Sequence, residues 1–276
     1  MFDLFALPIK TPEIVGAAEA AVAAGERIIA LYAGAIMVNR KAENEPVTAA
    51  DIESNGVIVK LLEAFGYPII SEESGGKLEQ ARSSRVWIVD PLDGTQDFIN
   101  HTGEFSVLIG LVENGIPVLG VIYEPFSHRM YLAEKGKGAF VITAGTISPI
   151  QASHVSSIVK STAIMSRNHL TAREERFLKD ITPQVVLQRG STGLKIAEIC
   201  HGAAEFYFTE APIKIWDTCA AHCLLNEAGG RCSDLLGNEI VYNQNSARHE
   251  NGILATNSHV HEELARAYKK FKVISA

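Results

Sequence analysis

The run Val86-Trp87-Ile88-Val89-Asp90-Pro91-Leu92-Asp93-Gly94-Thr95 constrains this chain more than any other stretch. It begins with apolar, mostly β-branched or aromatic residues, which predict a buried strand. Because aspartate and proline are disfavoured inside strands, we expect the strand to end near Asp90 and the chain to turn at Pro91. Such a turn would bring the two carboxylates and the Leu92 carbonyl to one point. Clustered hard oxygens of this kind suit Mg²⁺ or Mn²⁺.

The end of the same run predicts an anion site. Gly94 and Thr95 open a short predicted helix, and the free N–H groups at a helix start attract phosphate. However, D-P-x-D-G is also typical of an ordinary turn, in which proline presets φ and glycine takes a left-handed position. Considered alone, the motif leaves both interpretations open.

Composition narrows the function classes. The chain has 276 residues, 47% of them hydrophobic, and a net charge of −7. This charge argues against binding to a nucleic-acid polymer but allows a small phosphorylated substrate, because bound cations reverse the local field. No apolar run approaches the roughly 18 to 20 residues of a membrane span, and residues 1–10 lack the features of a signal peptide. Four cysteines are too few for a secreted framework, so we expect a reducing, cytoplasmic setting.

The pattern of predicted elements indicates an α/β (α+β) fold. We expect one helix from Thr11-Pro12 to about Tyr32 and a second from Thr48 to about Gly66. A strand-rich region follows, with a hairpin turn at Asn114-Gly115. Helices and strands alternate after residue 155. We place a domain boundary near Ser148-Pro149, so that residues 1–150 form an α+β half with most candidate metal ligands and residues 151–276 form an α/β half.

Three further acids stand at the ends of predicted elements. Glu72 follows a short apolar strand, Asp217 opens a helix, and Asp51 occupies the acidic position of a capping box. Each has an ordinary structural explanation, as a turn residue, an N-cap or a capping acid. Several such acids in one chain make these separate explanations less satisfactory together.

The same stretches resemble the inositol monophosphatase superfamily of Mg²⁺-dependent, lithium-sensitive phosphatases. Residues Trp87–Thr95 resemble its first signature, and Trp216–His222, followed by Ala228-Gly229-Gly230, resembles its second. Ser71–Ser74 and Val47–Asp51 fall in the family's order and spacing. The resemblance covers nearly the whole chain and implies a layered α-β-α-β-α sandwich, with the metal site between its two halves.

This resemblance implies a set of metal ligands. Glu72, Asp90 and the Leu92 carbonyl would hold one Mg²⁺. Asp90, Asp93 and Asp217 would hold a second, and a third, weaker ion would lie near Glu72. Mn²⁺ is an alternative to Mg²⁺, and two or three ions are expected.

The resemblance also implies catalytic residues. Thr95, hydrogen-bonded to Asp51, would orient and deprotonate a water for in-line attack, and Glu72 is expected to contribute to catalysis as well. The backbone of Gly94 and Thr95 would hold the phosphate.

Two further segments resemble the 3′(2′),5′-bisphosphate nucleotidase branch. Ser166-Arg167-Asn168-His169 is similar to its S-R-S-H segment, and Ser191-Thr192-Gly193-Leu194-Lys195 is similar to its S-S-L-K segment. In each segment one serine is replaced, by asparagine and by glycine. A bisphosphate carries an uncleaved phosphate that needs cationic partners outside the metal site. The expected substrate contacts are Arg167, His169, Lys195, Glu210 and Asp217, with Gly94 and Thr95.

The expected function is hydrolysis of the 3′-phosphate of 3′-phosphoadenosine 5′-phosphate, a by-product of sulfate assimilation or sulfation. An inositol monophosphatase and a fructose-1,6-bisphosphatase-like sugar phosphatase are alternatives on the same scaffold. A non-catalytic nucleotide or cation binder is a more remote alternative, because a binder has no need of a water-activating pair such as Asp51 and Thr95. The sequence leaves monomer and homodimer open.

Overall fold

The chain folds into five stacked layers in the order α-β-α-β-α, as the resemblance implies. The computed structural model describes residues 7–34, 36–40, 46–74, 83–242 and 246–274, so that Gly75, which follows the segment Ser71–Ser74, lies outside these ranges. The helices are α1 (Pro12–Tyr32), α2 (Ala49–Leu62), α3 (Thr95–Ile99), α4 (Ala172–Ile181), α5 (Thr192–Cys200), α6 (Ile215–Glu227) and α7 (His261–Ile274).

Two large sheets form the β layers. The first has seven strands in the order β3-β4-β5-β6-β7-β8-β9, and the second has five in the order β11-β10-β12-β16-β14. The strands of the first are β3 (Ile69–Ser71), β4 (Arg85–Asp93), β5 (Ser106–Glu113), β6 (Ile116–Glu124), β7 (Arg129–Glu134), β8 (Ala139–Thr143) and β9 (Thr146–Ile150). The strands of the second are β10 (Thr162–Ser166), β11 (Val185–Arg189), β12 (Phe206–Thr209), β14 (Arg231–Ser233) and β16 (Ile253–Thr256).

Two short antiparallel pairs complete the strands: β1 (Val38–Arg40) with β2 (Pro46–Thr48), and β13 (Ile213–Lys214) with β15 (Arg248–His249). In the described part of the chain, no helix combines the length and the apolar character needed to cross a membrane.

Three apolar clusters hold the layers together. Helices α1 and α2 cover one face of the seven-stranded sheet, where small residues such as Ala17 and Ala21 are fully buried. Helices α5 and α6 fill the middle layer between the two sheets. Helices α4 and α7 cover the outer face of the five-stranded sheet through Phe177 and Phe271. Because α6 packs against both sheets, the two halves of the chain share one core.

Most predicted local signals are found where the sequence indicates them. Helix α1 begins at Pro12 after Thr11, and Gly66, at φ 70°, ends the 3-10 turn that follows α2. Asn114 and Gly115 both have positive φ in the β5–β6 hairpin, as an Asn-Gly turn requires. Ser148 and Pro149, however, lie within the edge strand β9, where proline is tolerated. The division at residue 150 remains a prediction.

Gly120 on β6 allows the middle layer to approach the sheet, and its replacement tests this packing. A Cβ atom at Gly120 would lie 2.1 Å from the backbone carbonyl oxygen of Ala220 on α6. We therefore expect Gly120→Ala to lower the free energy of unfolding by about 3 kcal/mol, since backbone must move to admit the methyl group.

Gly56→Ala is the matched control. Gly56 lies inside α2 with nothing within 4 Å of the added methyl group, so we expect alanine to raise stability by about 0.5–1 kcal/mol. Urea unfolding of the two variants and the parent measures both effects. Equal stability of the Gly120→Ala protein and the parent would show that the α6–β6 contact is looser than described.

Candidate active site

Strand β4 continues through the acidic motif instead of ending before it, which corrects the predicted turn at Pro91. Asp90 pairs with Leu108 and Asp93 pairs with Ser106, so β4 carries one extra residue between them. This is a β-bulge, which inverts the alternation of side chains along a strand. Without it, Asp90 and Asp93 would point to opposite faces of the sheet. The bulge turns both carboxylates toward the middle layer, while the Leu92 side chain packs in the apolar cluster between the seven-stranded sheet and helices α1 and α2.

Three carboxylates converge at this bulge. Oxygens of Glu72, Asp90 and Asp217 lie within 4.8 Å of one another. Glu72 follows β3, which runs parallel to β4, and its N–H donates to the carbonyl of Val89 at 3.2 Å. Asp217 comes from the first turn of α6, which packs across β4. Neighbouring ends of parallel strands and one helix start thus supply the acidic cluster.

Like charges and burial act together on these acids. Burial raises the pKa of Asp90 well above its usual value, and the neighbouring carboxylates of Glu72, Asp93 and Asp217 raise it further. The pKa of Asp217 is raised for the same reasons. A cation among these oxygens would relieve the repulsion, and an all-oxygen set favours a hard divalent ion over a soft one. The cluster could therefore hold a metal ion.

Asp93 lies beside this cluster with its carboxylate directed at the start of α5. It accepts hydrogen bonds from Ser191 Oγ at 2.5 Å and from the N–H groups of Thr192 and Gly193 at 3.1 and 2.8 Å. A Cβ atom at Gly193 would lie 2.4 Å from Leu108, so glycine at this position permits the close approach of α5. Asp93 thus anchors a segment of the C-terminal half to the acidic strand. Its predicted role as a metal ligand remains a prediction.

Thr95 and Asp51 form the hydrogen bond that the family resemblance implies. Thr95 Oγ1 lies 2.9 Å from Asp51 Oδ1 and 3.2 Å from the Leu92 carbonyl oxygen. Asp51 is buried, and its other oxygen accepts from the backbone N–H and hydroxyl of Thr48, both at 2.7 Å, as the acid of a capping box. The ordinary role of Asp51 as a helix cap and its contact with Thr95 therefore exist together.

Gly94 is required by both conformation and space. It has φ 97° at the start of α3, and a Cβ atom would lie 2.9 Å from the carbonyl oxygen of Glu104. A side chain here would be strained and would also displace the backbone that faces the acidic cluster.

A cavity of about 380 Å³ opens over these residues. Glu72, Asp90, Asp93 and Asp217 line it, together with Gly94 and Thr95. The basic residues that line it are His169, Lys195, Lys214 and Arg248. An acidic cluster and a set of cations therefore face the same space, an arrangement suited to a metal-bound anionic ligand.

Lys195 is the most enclosed of these cations. Its side chain is buried, its Nζ donates to the carbonyl of Ser191 at 2.9 Å, and it lies 5.0 Å from the centre of the Tyr207 ring. Burial lowers the pKa of Lys195 to about 8, although nearby acids, led by Asp93, act in the opposite direction. Lys195 thus remains mostly charged at neutral pH and gains charge stabilisation from any anion that enters. His169 is exposed at the cavity wall.

Arg167 is held by acidic partners, which differs from its predicted place beside a substrate phosphate. Its guanidinium pairs with both oxygens of Glu104 and with Asp97 at 3.1 Å. Among the described residues that line the cavity, Arg167 is not found. Burial favours a higher pKa for Glu104, but Arg167 and the N–H of Gly190 outweigh it and the pKa is lowered.

Asn168, which departs from the S-R-S-H pattern, joins the same network. Its side-chain amide donates to Asp97 at 2.7 Å. The loop after β10 is thereby attached to α3.

Glu210 also differs from expectation. Its carboxylate accepts from Arg173 at 2.9 Å and from Tyr268 at 2.8 Å, which directs it toward α4 and α7. Thr209 and Ala211 line the cavity on either side of it, but the Glu210 side chain does not. The predicted contact with a substrate hydroxyl finds no support in this geometry.

The sequence analysis did not identify several residues at the site. Asp97 and Glu104 hold the loop after β10, and Lys214 and Arg248 line the cavity. Lys214 lies two residues before the start of the second motif, so its place near Asp217 could have been inferred. Arg248 reaches the site only through the pairing of β13 with β15, for which no local pattern exists.

Comparisons of this chain with family models, with curated proteins and with solved structures all indicate the same family. The model of the inositol monophosphatase family matches residues 10–272. The 3′(2′),5′-bisphosphate nucleotidase CysQ of Escherichia coli strain K12 is 37% identical over 225 residues, which are 79% of this chain and 89% of that protein.

Solved structures agree. CysQ from Bacteroides thetaiotaomicron, a bacterial member of the inositol monophosphatase family, superposes with a TM-score of 0.76 at 30% identity, covering 89% of this chain and 97% of its own. Inositol monophosphatase from Anabaena (Nostoc) sp. PCC 7120 gives a TM-score of 0.77 at 31% identity, with coverage of 94% and 95%.

Proposed function

This chain belongs to the inositol monophosphatase family, and we propose that it is the phosphatase that removes the 3′-phosphate from a 3′(2′),5′-bisphosphate nucleotide such as 3′-phosphoadenosine 5′-phosphate. The observation that carries the proposal is that the acidic cluster of Glu72, Asp90 and Asp217 shares one cavity with the buried cation Lys195. The CysQ relatives, whose names state this activity, support the choice of substrate.

The acidic residues divide into two proposed cation sites. We assign Glu72, Asp90 and the Leu92 carbonyl to one Mg²⁺ and Asp90, Asp93 and Asp217 to a second, with a weaker third ion near Glu72. Mn²⁺ fits the same oxygens. Bound divalent cations would neutralise phosphoryl oxygens and acidify a water molecule. Inhibition by lithium, implied by the family resemblance, belongs to the same proposal.

Thr95 and Asp51 are the proposed water-activating pair, with Glu72 beside them. Thr95 Oγ1 can accept a proton from water while it passes its own proton to Asp51 Oδ1, 2.9 Å away. The water oxygen then bonds to phosphorus as the bond from phosphorus to the ester oxygen breaks. The leaving oxygen takes a proton from solvent, and Asp51 returns the proton it received to solvent. The N–H groups of Gly94 and Thr95 would bind the scissile phosphate. Positioning and charge neutralisation are the main requirements of such a transfer.

Lys195 supplies positive charge, and His169 a ring N–H group, for the remainder of the substrate. Lys195 offers a buried ammonium that water screens weakly, so its interaction with a phosphate is stronger than that of a surface lysine. We assign no substrate contact to Arg167 or Glu210, because neither residue lines the cavity. The four cysteines are buried free thiols, which supports a cytoplasmic setting, and a role in sulfur metabolism follows from the proposed substrate.

The ionisation of Lys195 predicts a pH dependence. Its pKa is lowered to about 8, so the free enzyme loses the positive charge as the pH rises through that value. We expect kcat/KM for the bisphosphate to fall above pH 8 by about tenfold for each pH unit, because the fraction of enzyme with protonated Lys195 falls by that factor.

Lys195→Met is the control for this profile. The variant should show a lower kcat/KM at every pH and lack the decline that begins near pH 8. A decline of the same steepness in the variant would assign the ionisation to another group.

Phosphate release from a matched substrate panel tests the proposed function. 3′-Phosphoadenosine 5′-phosphate, inositol 1-phosphate and fructose 1,6-bisphosphate are compared at equal Mg²⁺ and again with EDTA. We expect the nucleotide to have the highest kcat/KM and EDTA to abolish turnover of all three. Faster hydrolysis of inositol 1-phosphate or of the sugar bisphosphate would reject the nucleotide assignment, and binding without any turnover would indicate a non-catalytic protein.

A further inference from the structure

The short ribbon of β13 and β15 carries two cations that the proposed reaction leaves unused. Lys214 pairs directly with Arg248 across this antiparallel ribbon, and Ile213 pairs with His249. Side chains alternate between the two faces of a ribbon. Ile213 is buried in the apolar cluster between the two large sheets, so Lys214 and Arg248 share the opposite face of the ribbon. Both residues line the cavity.

The ribbon is fixed in place from its core side. His249 Nε2 lies 3.1 Å from Thr218 Oγ1 on α6, and the His249 ring meets the edge of the Tyr242 ring at 5.2 Å. The N–H of Ile215 donates to the carbonyl of Ala247 at 2.9 Å. Arg248 is therefore presented to the cavity by an anchored segment.

Lys214 is oriented as well. Its ammonium lies 5.5 Å from the centre of the ring of Trp216, the residue that precedes Asp217. Lys214 and Asp217 of the acidic cluster line the same cavity.

Two like charges placed opposite each other on a ladder repel, and a dianion between them removes that repulsion. Both residues also interact with other groups of the protein. Such contacts leave capacity for an anion, because lysine has three N–H donors and arginine has five in a planar fork that matches phosphate. A phosphate is the dianion that the proposed substrate would bring to this cavity.

We propose that Lys214 and Arg248 bind the phosphate group of the substrate that is not hydrolysed, and so select bisphosphates over monophosphates. This inference rests on the proposed function. It places two cavity-lining residues in a role expected of Arg167, which does not line the cavity.

Two substrates that differ only in the second phosphate test the proposal. We compare kcat/KM for 3′-phosphoadenosine 5′-phosphate and for adenosine 3′-monophosphate in the parent, Lys214→Gln and Arg248→Gln. Each substitution should lower kcat/KM for the bisphosphate by about 10- to 100-fold, the effect of one charged hydrogen bond, and leave the monophosphate within about threefold. Arg248→Lys, which keeps the charge, should recover part of the loss.

Arg231→Gln is the matched control, since Arg231 is an exposed cation paired with Glu262 on α7. It should leave both substrates unchanged. An equal loss for both substrates in the Lys214 and Arg248 variants would overturn the proposal, because the cations would then serve the acidic cluster or the fold. No loss for either substrate would overturn it as well.

A binding measurement separates this inference from the proposed function. In EDTA, where no turnover occurs, calorimetry with adenosine 5′-monophosphate should show at least tenfold weaker binding to Arg248→Gln than to the parent, while adenosine binds both equally. If the parent hydrolyses no nucleotide yet this difference is found, the proposed function fails and the phosphate site stands. Equal binding of the 5′-monophosphate to both proteins would reject the site.

Discussion

Replacing Asp90 with asparagine is expected to lower kcat by roughly 10³-fold or more, the scale of losing one group that organises transition-state charge. Asp90 stands at the centre of the acidic cluster, within 4.8 Å of oxygens of both Glu72 and Asp217. It is assigned to both cation sites, so no other single carboxylate should matter as much. Steady-state phosphate release at saturating Mg²⁺ measures the effect.

The same substitution should raise the stability of the cation-free protein, although it lowers activity. Without cations, the cluster raises the pKa of Asp90 well above normal, so folded protein binds its proton more tightly than unfolded protein does. Stability from this group is therefore present at low pH and is lost as the pH rises through the raised value. At neutral pH in EDTA, the Asp90→Asn protein should melt roughly 2 to 4 °C above the parent, since about 1 kcal/mol of repulsion is removed.

Together the two measurements distinguish a site optimised for cations from a purely structural cluster. Added Mg²⁺ should stabilise the parent more than the variant, because a ligand stabilises the state that binds it. An active Asp90→Asn enzyme, or one that melts well below the parent in EDTA, would contradict this description of the cluster.

Thr95→Ala is expected to reduce kcat by about 10²- to 10⁴-fold, the range for loss of a positioned proton-transfer group. The alanine cannot accept a proton from water or pass one to Asp51 Oδ1. Binding of Mn²⁺, followed by calorimetry, should be nearly unchanged because the Thr95 hydroxyl belongs to neither proposed cation site.

Thr95→Ser is the conservative control and should keep most activity, since it retains the hydroxyl. Asp51→Asn should lose activity like Thr95→Ala and also about 1 kcal/mol of stability, because Asp51 also caps α2 through Thr48. Activity of Thr95→Ala within tenfold of the parent would remove the pair from the mechanism.

The sequence predicted the parts of the fold and site that depend on local chemistry. Thr48 and Asp51 form the expected capping box, and Asn114-Gly115 turns the expected hairpin. The meeting of Glu72 with Asp90 could be anticipated because both follow apolar strands, and β3 and β4 prove to be parallel neighbours. Asp217, which lies far along the chain, was identified as a helix-start acid, and the family resemblance grouped it with Glu72 and Asp90.

The bulge in β4 shows where local reasoning was insufficient. Proline and two aspartates indicated a turn, yet Pro91 remains in the strand. The bulge leaves Pro91 without a paired residue on β5, so its missing N–H group is tolerated there, and the extra residue redirects the acids. A turn propensity describes the local backbone preference of a residue. Here the bulge, which is part of the packed sheet, determines that both carboxylates lie on the face toward the middle layer.

The charges around the substrate position depended on long-range partners that a sequence does not reveal. Arg167 had the right charge, but Glu104, 63 residues earlier, takes up its guanidinium. Glu210 is held by Tyr268 in the last helix. Conversely, Arg248 lines the cavity only because β15 pairs with β13. Side-chain pairing across the fold, rather than residue type, decides which cations face a ligand.

Anomalous diffraction from crystals soaked with Mn²⁺ and phosphate would test the acidic cluster most directly. Strong Mn²⁺ peaks within coordination distance of Glu72, Asp90 and Asp217, with the phosphate between them and Thr95, are the predicted result. Peaks confined to other surfaces, in crystals whose dissolved protein hydrolyses the bisphosphate with Mn²⁺, would contradict the proposed active site.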